Sequence, residues 1–234
     1  AGEVTHIFIY ERSNYMRTHE AECEHCGKVV EWSEWTKTDA APSMTGHYQL
    51  MNDIQIPTNG SQISLAEDQK ICLDLNGKRI DGRNGSRVYS MHNPGTELAI
   101  MDTSEEKTGT IAAHGQGDQG MCVWLRYGVV YLYDGILDAS DASSIKNGTA
   151  VALQANTFMY MHGGQIIGGT SKALKQENGK YTNGLGGTLA IANKGKFVMN
   201  DGVIHDGEAK AIVTKRDAKG QPSTYERGHF AESM

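Results

Sequence analysis

The chain has 234 residues, a formal net charge of −6 and a pI near 5.8, with no block of like charge longer than a few residues, which speaks against a nucleic-acid groove or an anionic membrane surface. Its 28 glycines stand against 4 prolines, where ordinary glycine usage near 7% would give about 16, so turns here are made by glycine. No apolar run approaches the roughly 18 residues of a membrane span, and four cysteines are too few to frame a fold of this size with disulfides.

Residues 1–45 follow no repeat. "HIFIYE" reads as a strand, "THEAECEHCGK" as a polar knuckle, and "VVEWSEWTK" as a short amphipathic strand whose Trp32 and Trp35 pack onto the first repeat. Residues 1–20 lack the charged and apolar regions of a signal peptide, and Ala1 fits either a processed secreted chain or an excised one. The segment is expected to be a cap, because a stack of repeats exposes its first core layer and backbone edge. The division is residues 1–45 as cap and 46–234 as repeats.

The knuckle carries the first candidate chemistry. Cys-x-x-Cys holds two thiols on one turn, with Gly27 freeing the backbone behind Cys26, and structural zinc takes four Cys or His ligands. His19, four residues before Cys23, is the expected third ligand, and His6 or His47 the fourth; His25 lies between two residues already tied to the ion. A Cys23–Cys26 disulfide and free thiols are the alternatives. Glu22 and Glu24 are near enough to serve a three-ligand catalytic zinc, but the His-Glu-x-x-His and His-x-Glu…Cys-x-x-Cys spacings are missing, so the expectation is a structural clamp. Cys72 in "ICLDL" and Cys122 in "MCVWL" read as small buried hydrophobes.

Beyond residue 46 the chain repeats itself. "GVVYLYDGILDAS" from Gly128, "NTFMYMHGGQIIGG" from Asn156 and "GKFVMNDGVIHDG" from Gly195 each run strand, polar-Gly or Gly-Gly corner, aliphatic residue: Gly135 and Leu137, Gly164 and Ile166, Gly202 and Ile204. "GTELAIMDTSEEKTGTI" is an earlier copy whose insertion precedes Thr110 and Ile111. A second series, "RVYSM", "MCVWLR", "TAVALQA", "GTLAIAN" and "KAIVTK", places Val88, Val123, Val151, Leu189 and Ile212 at intervals of 35, 28, 38 and 23 residues. Constant internal order with irregular spacing implies one turn of a solenoid per repeat, loops absorbing the insertions. The fold expected is all-β, a right-handed parallel β-helix with a small N-terminal Cys/His cap. An antiparallel sandwich would not repeat strand, glycine corner, strand in that order, and a propeller needs a longer, more regular four-stranded unit.

Two kinds of site are legible on the repeats. Asp102, Asp134 and Asp201 recur at corners and, with Arg126 as base, offer the pieces of a calcium-assisted polysaccharide lyase or, as a carboxylate pair, of a glycosidase. Asx-Gly is also a turn dipeptide, and His162 stands at the same corner in the third copy, where a calcium ligand would be lost; calcium is therefore the lesser expectation. The run "VWLRYGVVYLY" places Trp124, Arg126, Tyr127, Tyr131 and Tyr133 together, aromatic rings beside a cation that would stack on sugar faces. The polar insertion over residues 168–187 is a natural recognition loop, and the tail "ERGHFAESM" carries no clear closing cap.

From His19 to Gly207, the succession "HEAECEHCGKVVEWSEW", "GHYQLMNDIQI", "ICLDLNGKRIDG", "TELAIMDTSEEKTGTI", "GGQIIGG" and "NDGVIHDG" resembles the parallel β-helix modules of large extracellular proteins of gut Gram-positive bacteria. That resemblance implies secretion or surface display, neighbouring domains in a longer chain, and contact with glycans or host material, without nucleic acid or membrane insertion. A noncatalytic adhesion or glycan-binding module is the expected function, with a polysaccharide lyase or glycoside hydrolase of the same fold, and a passive spacer, as alternatives.

Overall fold

The computed structural model describes residues 16–57, 62–82, 87–117, 120–144, 150–154, 156–174, 187–192, 194–216 and 222–231. Among these residues there is no helix, and the chain is all-β, in sheets of eight, six, five and five strands. The expected strand at "HIFIYE", with His6, lies outside the described residues, as do residues 175–186 of the polar insertion.

The first sheet runs Thr18–Cys23, Lys28–Trp35, Gly46–Leu50, Lys70–Asp74, Glu97–Met101, Val129–Leu132, Phe158–Met161, Lys196–Met199. Its first pair is antiparallel and every later pair parallel. The second holds Ile54–Gln55, Arg79–Asp81, Thr110–Ala112, Ile136–Asp138, Gln165–Ile167 and Val203–His205; the third holds Ile63–Ser64, Arg87–Met91, Met121–Leu125, Val151–Leu153 and Leu189–Ile191. From Gly46 the chain passes through the first, second and third sheets in turn and returns to the first one strand further along. From Gly115 each pass also enters the fourth sheet, Gly115–Gly117, Ala142–Ser144, Thr170–Leu174 and Glu208–Arg216, to which Pro222–Ala231 adds an antiparallel edge.

The repeated corners fall into one register. Ile80, Ile111, Leu137, Ile166 and Ile204 are directly opposed across the second sheet. Gly135 and Gly164 precede two of them at φ of +89° and +78°, a region glycine enters without steric penalty. A Cβ on Gly164 would lie 2.5 Å from the Gly135 carbonyl oxygen, so the stacked corners exclude any side chain there. The second series needs two corrections. Tyr89, not Val88, opposes Val123, Val151 and Leu189, because Val88 and Tyr89 both turn into the core, as Cys122 and Val123 do, which breaks the period-two alternation. Ile212 lies in the fourth sheet opposite Leu174.

From the first sheet the main core takes one alternate set, including Tyr48, Leu50, Ile71, Leu73, Leu98, Ile100, Val130, Leu132, Met159 and Met161. Polar corners are tied by carboxylates, of which Asp102 is buried. Asp102, 1% exposed, accepts from the amides of Gly77 at 2.8 Å, Ser104 at 3.1 Å and Gly109 at 2.5 Å, and Asp134 and Asp201 accept from the amides of Gly135 and Gly202 at 2.8 and 2.7 Å. The corner carboxylates thus satisfy backbone donors that would otherwise be unpaired.

Candidate metal centre

The other face of the first sheet carries a second, smaller core: Cys23, Trp32, Cys72, Ala99 and Met101, with Ala21, Val30, Tyr131 and Tyr133 packed against it. Period two explains the separation. Tyr48 and Leu50, like Ile71 and Leu73, point into the main core, so His47 and Cys72 project from the opposite face. The two strands are parallel and in register, and His47 is directly opposed to Cys72.

The knuckle folds over that face. Thr18–Cys23 pairs with Lys28–Trp35 over six opposed positions, and the connecting turn closes with the Gly27 amide donating to the Cys23 carbonyl at 2.8 Å, Gly27 taking a φ of +61°. The sulfurs of Cys23, Cys26 and Cys72 and an imidazole nitrogen of His47 thereby come within 4.8 Å of one another, a group able to hold one metal ion. Cys26 Sγ is 3.9 Å from Cys72 Sγ and 3.2 Å from His47 Nε2, and all four cysteines are free thiols.

Burial pushes the Cys72 thiol far up, the neighbouring Cys23 and Cys26 adding to it; burial and Cys23 raise Cys26 as well. Burial, with the field of His25, holds His47 below the ordinary histidine range. Crowded thiols next to a neutral imidazole lack a positive charge, and a bound divalent cation would invert that balance by drawing the protons off sulfur.

Of the expected ligands, Cys23 and Cys26 belong to the group. His19 does not: it is four residues up the strand, and a rise of about 3.3 Å per residue puts it roughly 13 Å from Cys23. His47, the alternative fourth ligand, takes one of the vacant places, and Cys72 the other. Cys72 sits mid-strand in a hydrophobic run with no second cysteine nearby, so its sequence context gives only a core signal; the signal that would reveal it is the register of the Gly46–Leu50 and Lys70–Asp74 strands. Cys122 is the buried residue expected, its thiol donating to the Ile111 and Asp138 carbonyls, each at 3.3 Å.

His25 is a fastener rather than a ligand. Its Nε2 is 2.8 Å from Glu97 Oε1 and its Nδ1 3.0 Å from the Tyr133 hydroxyl, and its ring centroid lies 4.6 Å from that of Tyr131. Burial, with Glu24, pushes the Tyr133 phenol up to about 12, so it remains a neutral donor.

The aromatic run divides between two places. Tyr131 and Tyr133 join a column in which Tyr131 stacks on Tyr160 at 5.4 Å and Tyr133 on His162 at 4.9 Å. Such stacking uses ring faces that a sugar would need. Trp124, Arg126 and Tyr127 belong to the third sheet and the turn after it: Trp124 is 8% exposed, in a small cluster with Met121, Ala152 and Ala190, while Arg126 and Tyr127 are exposed. Comparison with protein-family models, curated proteins and solved structures finds no match.

Proposed function

We propose that the chain is a right-handed parallel β-helix module of a secreted or cell-surface protein, pinned at its first edge by structural zinc, noncatalytic, and used for adhesion or contact with glycans. The β-helix reading rests on the fixed order in which the passes visit the sheets and the direct opposition of equivalent corners; right-handedness follows from the strong preference of parallel crossover connections. Three thiolates and an imidazole form a closed donor set of the kind structural zinc takes. Tetrahedral bonds of about 2.3 Å to sulfur and 2.0–2.1 Å to nitrogen place two sulfurs about 3.8 Å apart, and sulfur and nitrogen about 3.6 Å, against 3.9 and 3.2 Å between these atoms.

The observation that carries the module reading is how the ionisable groups are used. Four potential ligands converge to bolt an edge hairpin, and the corner carboxylates that looked most like catalytic acids bind turn amides instead. Solvent-facing side chains on the strands and turns are what is left to meet a partner. Elemental analysis with thiol titration before and after chelation tests the zinc, expected at one per chain with thiols released on its removal. Retention on immobilised glycans, with the eluted glycan analysed for cleavage, tests the rest. Retention without cleavage is expected; unsaturated or shortened products overturn the noncatalytic reading, and absence of retention leaves the spacer.

A further inference from the structure

We propose that the outer face of the third sheet holds an oxyanion site, built from Arg87, Trp124, His92 and Arg126, that takes the sulfate or carboxylate group of an acidic glycan. The proposal rests on the glycan-binding reading and deepens it by naming the ligand chemistry and the place.

The site starts from the broken alternation of the third sheet. With Val88 and Tyr89 both facing the core, as are Cys122 and Val123, the outward positions become Arg87, Ser90 and His92 on one pass and Met121, Trp124 and Arg126 on the next. Trp124 is directly opposed to Ser90. It is flanked by Arg87, whose guanidinium carbon lies 3.4 Å from the indole centroid, and by His92, ring to ring at 4.3 Å edge-on. His92 is held in turn by Ser90 Oγ at 2.5 Å and Gln62 Nε2 at 3.4 Å. Burial and the positive fields of Arg87 and Arg126 keep His92 below the ordinary histidine range. Two guanidinium groups, an imidazole and an indole N–H thus gather on a chain of net charge −6, and among the described residues neither Arg87 nor Arg126 is joined to a carboxylate.

Among the described residues, two donors in this cluster meet no acceptor. Trp124 is more than nine-tenths buried, yet its Nε1–H meets no hydrogen-bond partner, nor does the Nε–H of Arg87. Burying an unsatisfied polar group costs about 1–3 kcal/mol, and native interiors leave few such groups. An oxyanion, acceptor on every oxygen, satisfies both. Stacking on the indole uses the face of the guanidinium and leaves its in-plane N–H fork for the anion, so Arg87 is held in the orientation that bidentate recognition needs. Gln62 also lines an open groove with Ala41, Ile56, Pro57 and Ser64, which gives a chain of sugars somewhere to continue.

The test uses the intact protein and four probes: inorganic sulfate, dextran sulfate, polygalacturonate and neutral dextran. Tryptophan fluorescence and immobilised-polymer retention are read for wild type, Arg87→Gln, Trp124→Phe and the remote control Lys37→Gln. The site predicts retention on an acidic polymer and none on neutral dextran, weakening with salt, about tenfold or more weaker for Arg87→Gln, severalfold weaker for Trp124→Phe, which keeps the ring and removes the donor, and unchanged for Lys37→Gln. Preference between dextran sulfate and polygalacturonate assigns sulfate or carboxylate. Glycan retention indifferent to Arg87→Gln and Trp124→Phe overturns the site and keeps the glycan-binding reading. Arg87-dependent binding of free sulfate without glycan retention keeps the anion site and overturns the glycan reading. Binding of no probe overturns both.

Discussion

Replacing Cys72 with alanine separates the metal centre from the knuckle seen in the sequence. The substitution removes a mid-strand donor 46 residues from Cys26 and leaves three of the four ligands. Loss of a structural metal belongs to the class of single changes exceeding about 4 kcal/mol, and 4 kcal/mol is roughly a thousandfold in an opening equilibrium. That loss should be local. The hairpin is an end unit whose backbone ladder joins only the Gly46–Leu50 strand, and the passes beyond it retain their own stacking. Hydrogen exchange should therefore lose protection by about three orders of magnitude from residue 18 to residue 35. Trp32, 2% exposed at present, should shift its emission to the red, while strands from Glu97 onward exchange as before. Metal content should fall below one per chain, and His19→Ala should reproduce none of this. Full metal occupancy in Cys72→Ala with unchanged exchange, or loss of metal in His19→Ala, would refute the assignment.

The same geometry yields other outcomes. His25→Ala should keep one metal per chain yet loosen the knuckle by about 1–2 kcal/mol, the scale of lost hydrogen bonds to a carboxylate and a phenol, read as faster exchange around residues 24–27 at constant zinc. Asp102→Asn replaces one of two accepting oxygens with an amino group and leaves the Gly109 amide unpaired, a loss of about 1–3 kcal/mol that should lower Tm by several degrees; an unchanged Tm would remove the carboxylate from its corner role. Gly164→Ala should destabilise by more than 1 kcal/mol, since it combines positive φ with a Cβ against the Gly135 carbonyl, whereas Gly27→Ala, whose Cβ would meet nothing within 4 Å, carries the φ penalty alone and should fall short of it in a denaturant melt.

The corners were the most legible part of the fold, because a glycine forced by positive φ and close backbone approach leaves a fixed mark two residues before an inward aliphatic side chain. Gly135–Leu137, Gly164–Ile166 and Gly202–Ile204 align in the sequence as they do in the second sheet. Strand phase was less legible where two successive residues turn inward, which is why Val88 aligned one residue early and why the outward set of the third sheet is not every second residue. Half of the metal group was readable, since Cys-x-x-Cys is local. The remaining half was not, because His47 and Cys72 become neighbours only through the pairing of two parallel strands, a relation that spacing along the chain does not encode. Trp124, Arg126, Tyr127, Tyr131 and Tyr133 lie within ten residues, yet a turn at Gly128 sends them to two different sheets.

What a metal at this group would add to the first sheet follows from how little ladder joins its hairpin to the rest. Within the hairpin six residue pairs are opposed, but only Ser33, Glu34 and Trp35 are opposed to the next strand, at Tyr48, Gln49 and Leu50. The knuckle lies at the opposite end, five residues or more from those contacts, and would otherwise be tied down mainly by the contacts of His25 with Glu97, Tyr131 and Tyr133. An unfastened antiparallel ribbon exposes both of its edges to other chains, and a two-stranded hairpin is marginal by itself. A metal held also by His47 and Cys72, on the second and third strands beyond the turn, would fix the free end where the backbone ladder does not reach. The fourth sheet closes differently: its antiparallel pair, Glu208–Arg216 with Pro222–Ala231, is opposed over nine residue pairs, a ladder long enough to hold without a metal. The second and third sheets begin with strands of only two residues, Ile54–Gln55 and Ile63–Ser64, too short to template another chain. Three of the four cysteines, Cys23, Cys26 and Cys72, thus gather at a long edge whose hairpin is joined to the next strand by only three opposed pairs.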